Sequence, residues 1–407
     1  MWLTLSALVA LVSASRSDPS YACNILSNPS DSCLLPFPDN FFFAPTWDAA
    51  SPPALTLQNG SLPIDSSGNP IDPDFGGYNA LQGFSPLGPV MAYLPGVDLA
   101  ASGLPRLWSI PSSAAAASSN SVVLRADTLE PVLHWVELDH SGDDGGTALY
   151  ERSLLLWPAA RLADATRYIV AFRNLTDAAG VPVAPSDGFA ALKYNRSTNN
   201  AALEASRARF EAIFAALEKA GWARRDVSLA WDFTTNTRED ITGHFMHMRD
   251  DAFARIAAGG GVQYKITKVA DAPAANTSRR IFGSFSVPCY LPFDAVPSLD
   301  SKLVLDPATG MPVFQNFVDF DFEVVIPNSV AAAGVPAKVL QYGHGLFGDH
   351  GEVEENYLAT FAEEHGYVLA ATDWIGLSEY DEPTVIVCVG WRAPSALLRA
   401  ARARERR

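Results

Sequence analysis

Residues 338–348 read KVLQYGHGLFG, a short apolar strand that runs directly into a loop with three glycines. A helix-like segment follows from Glu352 to His365 and stops at Gly366, and residues 367–371 then form a second apolar strand. Strand, loop, helix and strand in this order make a βαβ unit. Because such a crossover joins parallel strands, the sequence predicts that the two strands are parallel and belong to an α/β domain.

The glycine loop surrounds a single histidine, His344. Glycine lets the backbone approach a ligand closely because it has no Cβ. A backbone N–H in such a loop can stabilise the negative charge that develops on a carbonyl oxygen during acyl transfer. We expect the N–H of Leu346, held by Gly345 and the His344 side chain, to be this oxyanion donor. Asp373 follows the second strand and is predicted either to line the ligand-binding edge of the sheet or to cap the next turn.

Two motifs at this place resemble secreted α/β-hydrolase esterases and lipases that carry a long N-terminal β region. The motifs are YGHGLFG at 342–348 and TDWIGLS at 372–378, and the segments PFPD at 36–39, GFSP at 83–86 and WDFTT at 231–235 also look like that family. In this fold one oxyanion donor comes from such a loop and the other from the residue after the nucleophile. The resemblance implies serine acylation of a small ester or lipid substrate, without a cofactor.

The serine motif of that family is missing from the sequence. Its nucleophile stands in a Gly-x-Ser-x-Gly elbow, and this pattern occurs nowhere in the chain. GFSPL at 83–87 and GLSEY at 376–380 come nearest, but both lack the closing glycine. The triad order of serine, acid and histidine also needs further chain. The sequence therefore predicts a C-terminally truncated hydrolase domain that has no catalytic residue in this chain and is inactive as a serine esterase.

The last residues, 391–407, form an Arg-rich tail with six arginines and one glutamate, although the whole chain carries a net charge of −16. We expect this tail to be foreign to the fold, as it would be after a shifted reading frame. The alternative is a solvated basic helix, because alanine, leucine and arginine favour helices.

The composition excludes several classes of protein. Hydrophobic residues make up 48% of the chain and charged residues 18%, so the chain can bury a sizeable core. The net charge of −16 repels phosphate backbones, which argues against nucleic-acid binding. No run of 18 apolar residues is present, so no membrane-spanning helix is predicted.

The N-terminus indicates export. Residues 1–14 contain a short apolar run with a small-residue end, which is typical of a signal peptide, although no basic residue precedes the run. A buried N-terminal strand or helix is the alternative. Cys23 and Cys33 are spaced to close a small disulfide ring, but four cysteines allow three pairings. We expect a secreted or cell-surface glycoprotein, with glycosylation sequons at Asn59, Asn174, Asn195 and Asn276.

Upstream of the βαβ unit, the pattern predicts several segments. Residues 19–118 form an extended arm rich in proline and glycine, which is anchored by its aromatic rings. Short strands at 119–192 indicate a small Ig-like β-sandwich. Residues 196–262 form a helical insert or linker, in which an apolar stripe from Leu203 to Leu217 predicts a first helix, residues 227–234 are predicted as a strand, and a second helix starts at Thr237. Residues 264–390 are then the first part of an α/β-hydrolase domain.

Other interpretations stay open at this point. His244 and His247 share a helix face, but their apolar neighbours and the missing HExxH pattern predict ordinary helix residues, and no metal site is expected. The rival function is a non-catalytic secreted protein whose β-sandwich binds a glycan or a partner protein. A third possibility is an unstable product, because an incomplete sheet exposes an unpaired edge.

Overall fold

A computed structural model describes residues 23–27, 34–43, 55–56, 79–140, 152–292, 302–376 and 378–382. The chain divides into two compact units, Met1–Ile241 and Thr242–Arg407. The predicted signal peptide, the Arg-rich tail, Cys33 and Asn59 lie outside the described residues. Within the described part, no helix is long and apolar enough to cross a membrane.

The first unit is built on two antiparallel sheets of three strands each. Its strands are β1 (Val90–Ala92), β2 (Ser121–Arg125), β3 (His134–Leu138), β4 (Leu154–Pro158), β5 (Arg167–Arg173) and β6 (Val227–Thr234). One sheet has the order β1-β4-β3 and the other the order β2-β5-β6. The strands predicted from β-branched and aromatic runs are confirmed at β2 to β6.

Among its described residues, the first unit also contains the helices α1 (Asp187–Lys193) and α2 (Ala201–Lys219). α1 lies in a segment that was predicted to contain only strands, and that prediction is wrong here. Its start is favoured by Ser186, whose hydroxyl accepts the N–H of Phe189 at 3.3 Å. α2 is confirmed, and the residues of its apolar stripe are all buried: Leu203, Phe210, Ile213, Phe214 and Leu217.

One hydrophobic core joins the arm to the sheets and helices of this unit. Phe42, Phe43 and Phe84, from the segment predicted as an arm, belong to the same buried cluster as Phe172 and Trp231. Each fully buried large apolar side chain contributes about 2–3 kcal/mol to folding. The aromatic rings of the arm are therefore part of the core of this mixed α and β unit.

A buried charge network lies beside this core. The guanidinium of Arg209 on α2 reaches Asp39 Oδ1 at 2.8 Å and Asp232 Oδ1 at 3.0 Å. Arg167 adds a bond to Asp232 Oδ2 at 2.6 Å. Burial raises the pKa of Asp39 above its ordinary value, and the charge of Arg209 opposes that rise. The arm is thus tied to α2 and β6 by charge as well as by apolar packing.

The second unit contains a five-stranded mixed sheet. Its strands are β7 (Gln263–Ala274), β8 (Thr277–Cys289), β9 (Asn316–Pro327), β10 (Lys338–Tyr342) and β11 (Tyr367–Thr372), in the order β10-β11-β9-β8-β7. β10 and β11 are parallel, as predicted, and the other neighbours are antiparallel.

The helices of this part are α3 (Arg238–Ala258), α4 (Asn328–Ala333) and α5 (Asn356–His365). α3 begins just before the boundary between the units. Its predicted start is confirmed, because Thr237 Oγ1 accepts the N–H of Asp240 at 3.0 Å.

The helix predicted from Glu352 to His365 is interrupted. A 3-10 helix occupies His350–Glu354, and α5 begins only at Asn356, because Glu355 has φ −55° and ψ 136°, outside helical geometry. Gly366 ends α5 in the left-handed conformation, with φ 68°, as a glycine in this position favours.

One face of β9 changes character along the strand. Alternating acidic residues predict a solvated face, and Asp319 and Asp321 are indeed exposed. Glu323 is buried instead, and Arg280 donates to its carboxylate at 2.5 Å. The reason is that the 3-10 helix and α5 pack against this end of β9. Burial raises the pKa of Glu323, and Arg280 opposes the rise.

Candidate functional site

The loops that follow β10 and β11 are joined by the side chain of His344. Its Nε2 accepts the backbone N–H of Trp374 at 2.8 Å, and its Nδ1 lies 2.7 Å from the carbonyl oxygen of Gly345. Because one partner is a donor and the other an acceptor, these bonds assign the proton to Nδ1. Loops at the carboxyl ends of parallel strands are where α/β sheets bind ligands. His344 therefore links the two loops that form the candidate site at the ends of β10 and β11.

The glycine loop contains a tight turn. Gly348 donates its N–H to the carbonyl of Gly345 at 3.1 Å, and Phe347 in the third position has φ 61°. A positive φ in this position is typical of a type II turn, where glycine is usual. A bulky residue held in such a conformation costs about 1–3 kcal/mol, and strain of this kind clusters at ligand-binding sites.

Among the described residues, the N–H groups of Leu346 and Phe347 have no hydrogen-bond partner. The side chain of Leu346 is 51% exposed. The N–H of Gly345 is occupied, because it donates to Glu352 Oε2 at 2.9 Å. At the other side of the turn, the carbonyl of Gly348 accepts the N–H of Glu379 at 3.0 Å. The predicted donor, Leu346, thus lies in a turn that is fixed on both sides while its own N–H is free to bind an acceptor.

Asp373 pairs with His350, a residue to which the sequence assigned no role. Asp373 Oδ1 accepts the backbone N–H of His350 at 2.6 Å, and the same oxygen lies 2.8 Å from Nδ1 of the His350 imidazole. Burial raises the pKa of Asp373, but the hydrogen bonds from His350 outweigh it and hold this pKa below its usual range. The same hydrogen bond raises the pKa of His350. The two residues are 23 positions apart in the sequence, and this spacing does not indicate that they form a pair.

The serines of the two incomplete elbow motifs are not activated. Ser378 is buried, and its hydroxyl donates to Asp381 Oδ2 at 2.8 Å while its N–H donates to the same oxygen at 2.9 Å. Ser85, in the first unit, is exposed and accepts the N–H of Leu87 at 3.2 Å. Both hydroxyls stabilise local turns, and within the described ranges neither is bonded to a histidine.

Comparison of the chain with known protein families, with curated protein sequences and with solved structures yields no significant match. The chemistry of the two loops therefore carries the functional interpretation. Its components are a free N–H at Leu346, a clamp at His344 and a carboxylate–imidazole pair at Asp373 and His350.

A serine–histidine contact does occur in the first unit. Ser121 Oγ lies 2.8 Å from His134 Nε2, and His134 Nδ1 lies 2.8 Å from the carbonyl of Val132. Both residues are completely buried, so no substrate reaches them. Burial lowers the pKa of His134 to about 4. This contact is part of the core of the first unit.

The predicted modification sites fall in different surroundings. Asn174 and Asn195 are exposed, whereas Asn276 is half-buried and its amide donates to Thr360 Oγ1 at 3.2 Å. Cys23 is disulfide-bonded, and its predicted partner Cys33 lies outside the described residues.

No group of three or more histidine, cysteine, aspartate or glutamate side chains in the described part of the chain is placed to hold a metal ion. His247 Nε2 lies 3.1 Å from the carbonyl of Pro312 instead.

Proposed function

We propose that the chain is a secreted protein of the carboxylic-ester hydrolase type, whose second unit is an α/β-hydrolase domain in part. In this proposal the N–H of Leu346 binds the carbonyl oxygen of a small ester or lipid. The observation that carries it is that this N–H is free while both sides of its turn are fixed, at Gly345 by Glu352 and at Gly348 by the N–H of Glu379. Oxyanion stabilisation needs donors that are oriented before the reaction.

The position of the turn supports the proposal. β10 and β11 are parallel neighbours, so their carboxyl ends, with Leu346 and Asp373, meet at one edge of the sheet. Ligands of α/β proteins bind outside this edge. The glycine loop would have no evident purpose in a protein that only presents a β-sandwich to its partners.

Serine acylation is not part of the proposal for the described residues. Ser378 is the serine closest to this edge along the chain, and its hydroxyl is engaged by Asp381. A nucleophilic serine needs a base within hydrogen-bond reach. We expect a fluorophosphonate probe to leave the protein unlabelled, whereas a serine hydrolase with an intact triad reacts.

The test removes one hydrogen-bond donor, the N–H of Leu346, by a substitution that the geometry of the turn tolerates. Leu346 occupies the second position of the turn, where proline is favoured, and proline has no N–H. Leu346→Pro therefore removes the donor, while Leu346→Ala is the matched control that keeps it. The probe is the monobutyl ester of butylphosphonic acid, a stable anionic mimic of the tetrahedral intermediate.

Wild type and Leu346→Ala are expected to bind this probe with similar affinity, as measured by calorimetry. Leu346→Pro is expected to bind about 10- to 100-fold more weakly, because a hydrogen bond to a charged group contributes about 1.5–3 kcal/mol. Equal binding by the proline and alanine variants, with circular dichroism unchanged, would overturn the proposal.

A second candidate function is ligand binding by an Ig-like first unit. Trp135 and Trp157 lie opposite each other on β3 and β4 and stack at 6.1 Å, and Trp157 Nε1 donates to Glu137 Oε1 at 2.7 Å. Tryptophan with a polar edge is enriched at binding interfaces. Binding of a glycan at this surface would be unaffected by Leu346→Pro, which separates the two candidates.

A further inference from the structure

We propose that His350, positioned by Asp373, is a general base that activates a water molecule for attack on an ester carbonyl held at Leu346. This inference rests on the proposed function, and it assigns a catalytic role to a histidine that the resemblance does not include. It also removes the need for a nucleophilic serine in the reaction.

The orientation of His350 fits a base. Its Nδ1 and its backbone N–H both contact Asp373 Oδ1, at 2.8 and 2.6 Å, so the imidazole is fixed at two points. A carboxylate oxygen accepts, so Nδ1 carries the proton and Nε2 presents its lone pair. Nε2 has no hydrogen-bond partner among the residues that the structure describes. An aspartate holds the basic histidine of hydrolytic triads in the same tautomer.

The free N–H of Leu346 lies in a loop that is clamped at both ends, and the free imidazole nitrogen belongs to His350, the first residue of the 3-10 helix that follows this loop. At one end His344 accepts the N–H of Trp374, the neighbour of Asp373. At the other end Gly348 accepts the N–H of Glu379 at 3.0 Å and forms a parallel bridge with Ser378. The loop is therefore held against the chain after β11 on either side of Leu346, and His350, two residues beyond Gly348, is held against the same chain through Asp373.

The reaction balances without a cofactor. The water oxygen bonds to the carbonyl carbon, the π electrons move to the carbonyl oxygen beside the N–H of Leu346, and the water proton goes to His350 Nε2. The bond from carbon to the alkoxy oxygen then breaks with its electron pair, and His350 returns the proton to the leaving alcohol. The products are a carboxylic acid and an alcohol. General base catalysis of this kind accelerates a reaction by about 10²–10⁴-fold.

The charges around His350 determine the expected pH dependence. The hydrogen bond that His350 donates to Asp373 raises the pKa of His350, burial opposes this, and the charges of Asp349 on the preceding loop and Glu323 on β9 raise it further. Tyr380 also lies among these acids, since Asp373 and Asp349 contribute to its own raised pKa after the larger effect of burial. His350 must be neutral to act as a base. The rate is therefore expected to rise with pH through a midpoint above the ordinary histidine value.

The experiment measures p-nitrophenyl butyrate hydrolysis by the full chain between pH 5 and 10. Wild type is expected to exceed the buffer rate and to show the midpoint described above. His350→Gln is expected to lose at least about 10-fold of this excess, in line with the contribution of a general base, together with the midpoint. The matched control is His365→Gln, an exposed histidine at the end of α5, which keeps both.

A second variant covers the case in which His350→Gln does not fold. Asp373→Asn is expected to shift the kinetic midpoint down, because the carboxylate that raises the pKa of His350 is gone. A His350→Gln protein that is folded by circular dichroism and retains the wild-type pH-rate profile would contradict the role of His350 as a general base. So would an Asp373→Asn profile that does not move, or fluorophosphonate labelling that abolishes turnover.

The oxyanion turn and the general base are contradicted by different experimental results. Equal phosphonate binding by Leu346→Pro and Leu346→Ala contradicts the oxyanion turn itself. Loss of binding in Leu346→Pro with an unchanged profile in His350→Gln contradicts only the base.

Discussion

Glu352 Oε2 accepts the backbone N–H of Gly345 at 2.9 Å and also lies 3.2 Å from the hydroxyl of Tyr342. One carboxylate thus joins the end of β10, the glycine loop and the 3-10 helix. It occupies the N–H of Gly345, so the free donors of the turn are those of Leu346 and Phe347. The chemistry assigned to the loop therefore depends on a residue outside the glycine motif.

Gly348→Ala tests this dependence. A Cβ at position 348 would overlap Oε1 of Glu352, so the carboxylate must move away and its bond to Gly345 breaks. We expect the free energy of unfolding to fall by about 1 kcal/mol, the contribution of one hydrogen bond. The amide of Gly345 should exchange faster with solvent in hydrogen-exchange measurements.

Gly345→Ala is the matched control in the same loop. A Cβ there meets the nearest Glu352 oxygen at 3.8 Å, which is ordinary van der Waals contact. This variant should retain wild-type stability and probe binding. Equal loss in both variants would show that the loop requires glycine at each position for another reason.

Arg209→Met is expected to be strongly destabilising in the first unit. The change leaves Asp39 and Asp232 buried without the guanidinium that lies between them. Loss of one partner from a buried charge network costs about 3–5 kcal/mol. Arg207→Met on the same helix is the control, because the partner of Arg207, Glu204, is 36% exposed whereas Asp39 and Asp232 are fully buried, so this change should alter stability little. Urea unfolding of both variants measures the difference, and similar losses would contradict the assigned role of the network.

His134 is expected to make the first unit acid-sensitive. Burial lowers its pKa to about 4, while the unfolded chain has the ordinary value of 6.5. The unfolded state therefore binds the extra proton as pH falls between these values, so stability is retained above pH 6.5 and lost progressively towards pH 4. The loss attributable to His134 is on the order of 3 kcal/mol.

Urea unfolding at several pH values between 7 and 4 measures this effect. His134→Gln removes the titrating group, and its stability should fall less steeply with acid than that of wild type. Parallel curves for the two proteins would contradict the prediction.

The local elements follow from the sequence where the pattern is strong. β10 and β11 were predicted from apolar runs bounded by glycine, and β-branched and aromatic content predicted β5 and β6. α2 followed from its 3.6-residue stripe. The prediction was wrong where local and tertiary effects compete, as at α1, which a serine cap starts inside a strand-rich region, and at Glu355, where one predicted helix becomes two.

The sequence by itself determined that the chain contains a βαβ unit with a glycine loop, that Leu346 is the candidate oxyanion donor and that no Gly-x-Ser-x-Gly elbow is present. These conclusions depend only on residue type and on spacing along the chain, because these determine the local backbone preferences. Only the tertiary structure decided that Asp373 meets His350 and that Glu323 is buried. Parallel strand pairing and the packing of helices on β9 bring such residues together. The separation of these residues along the chain contains no information about the strand pairing or the helix packing.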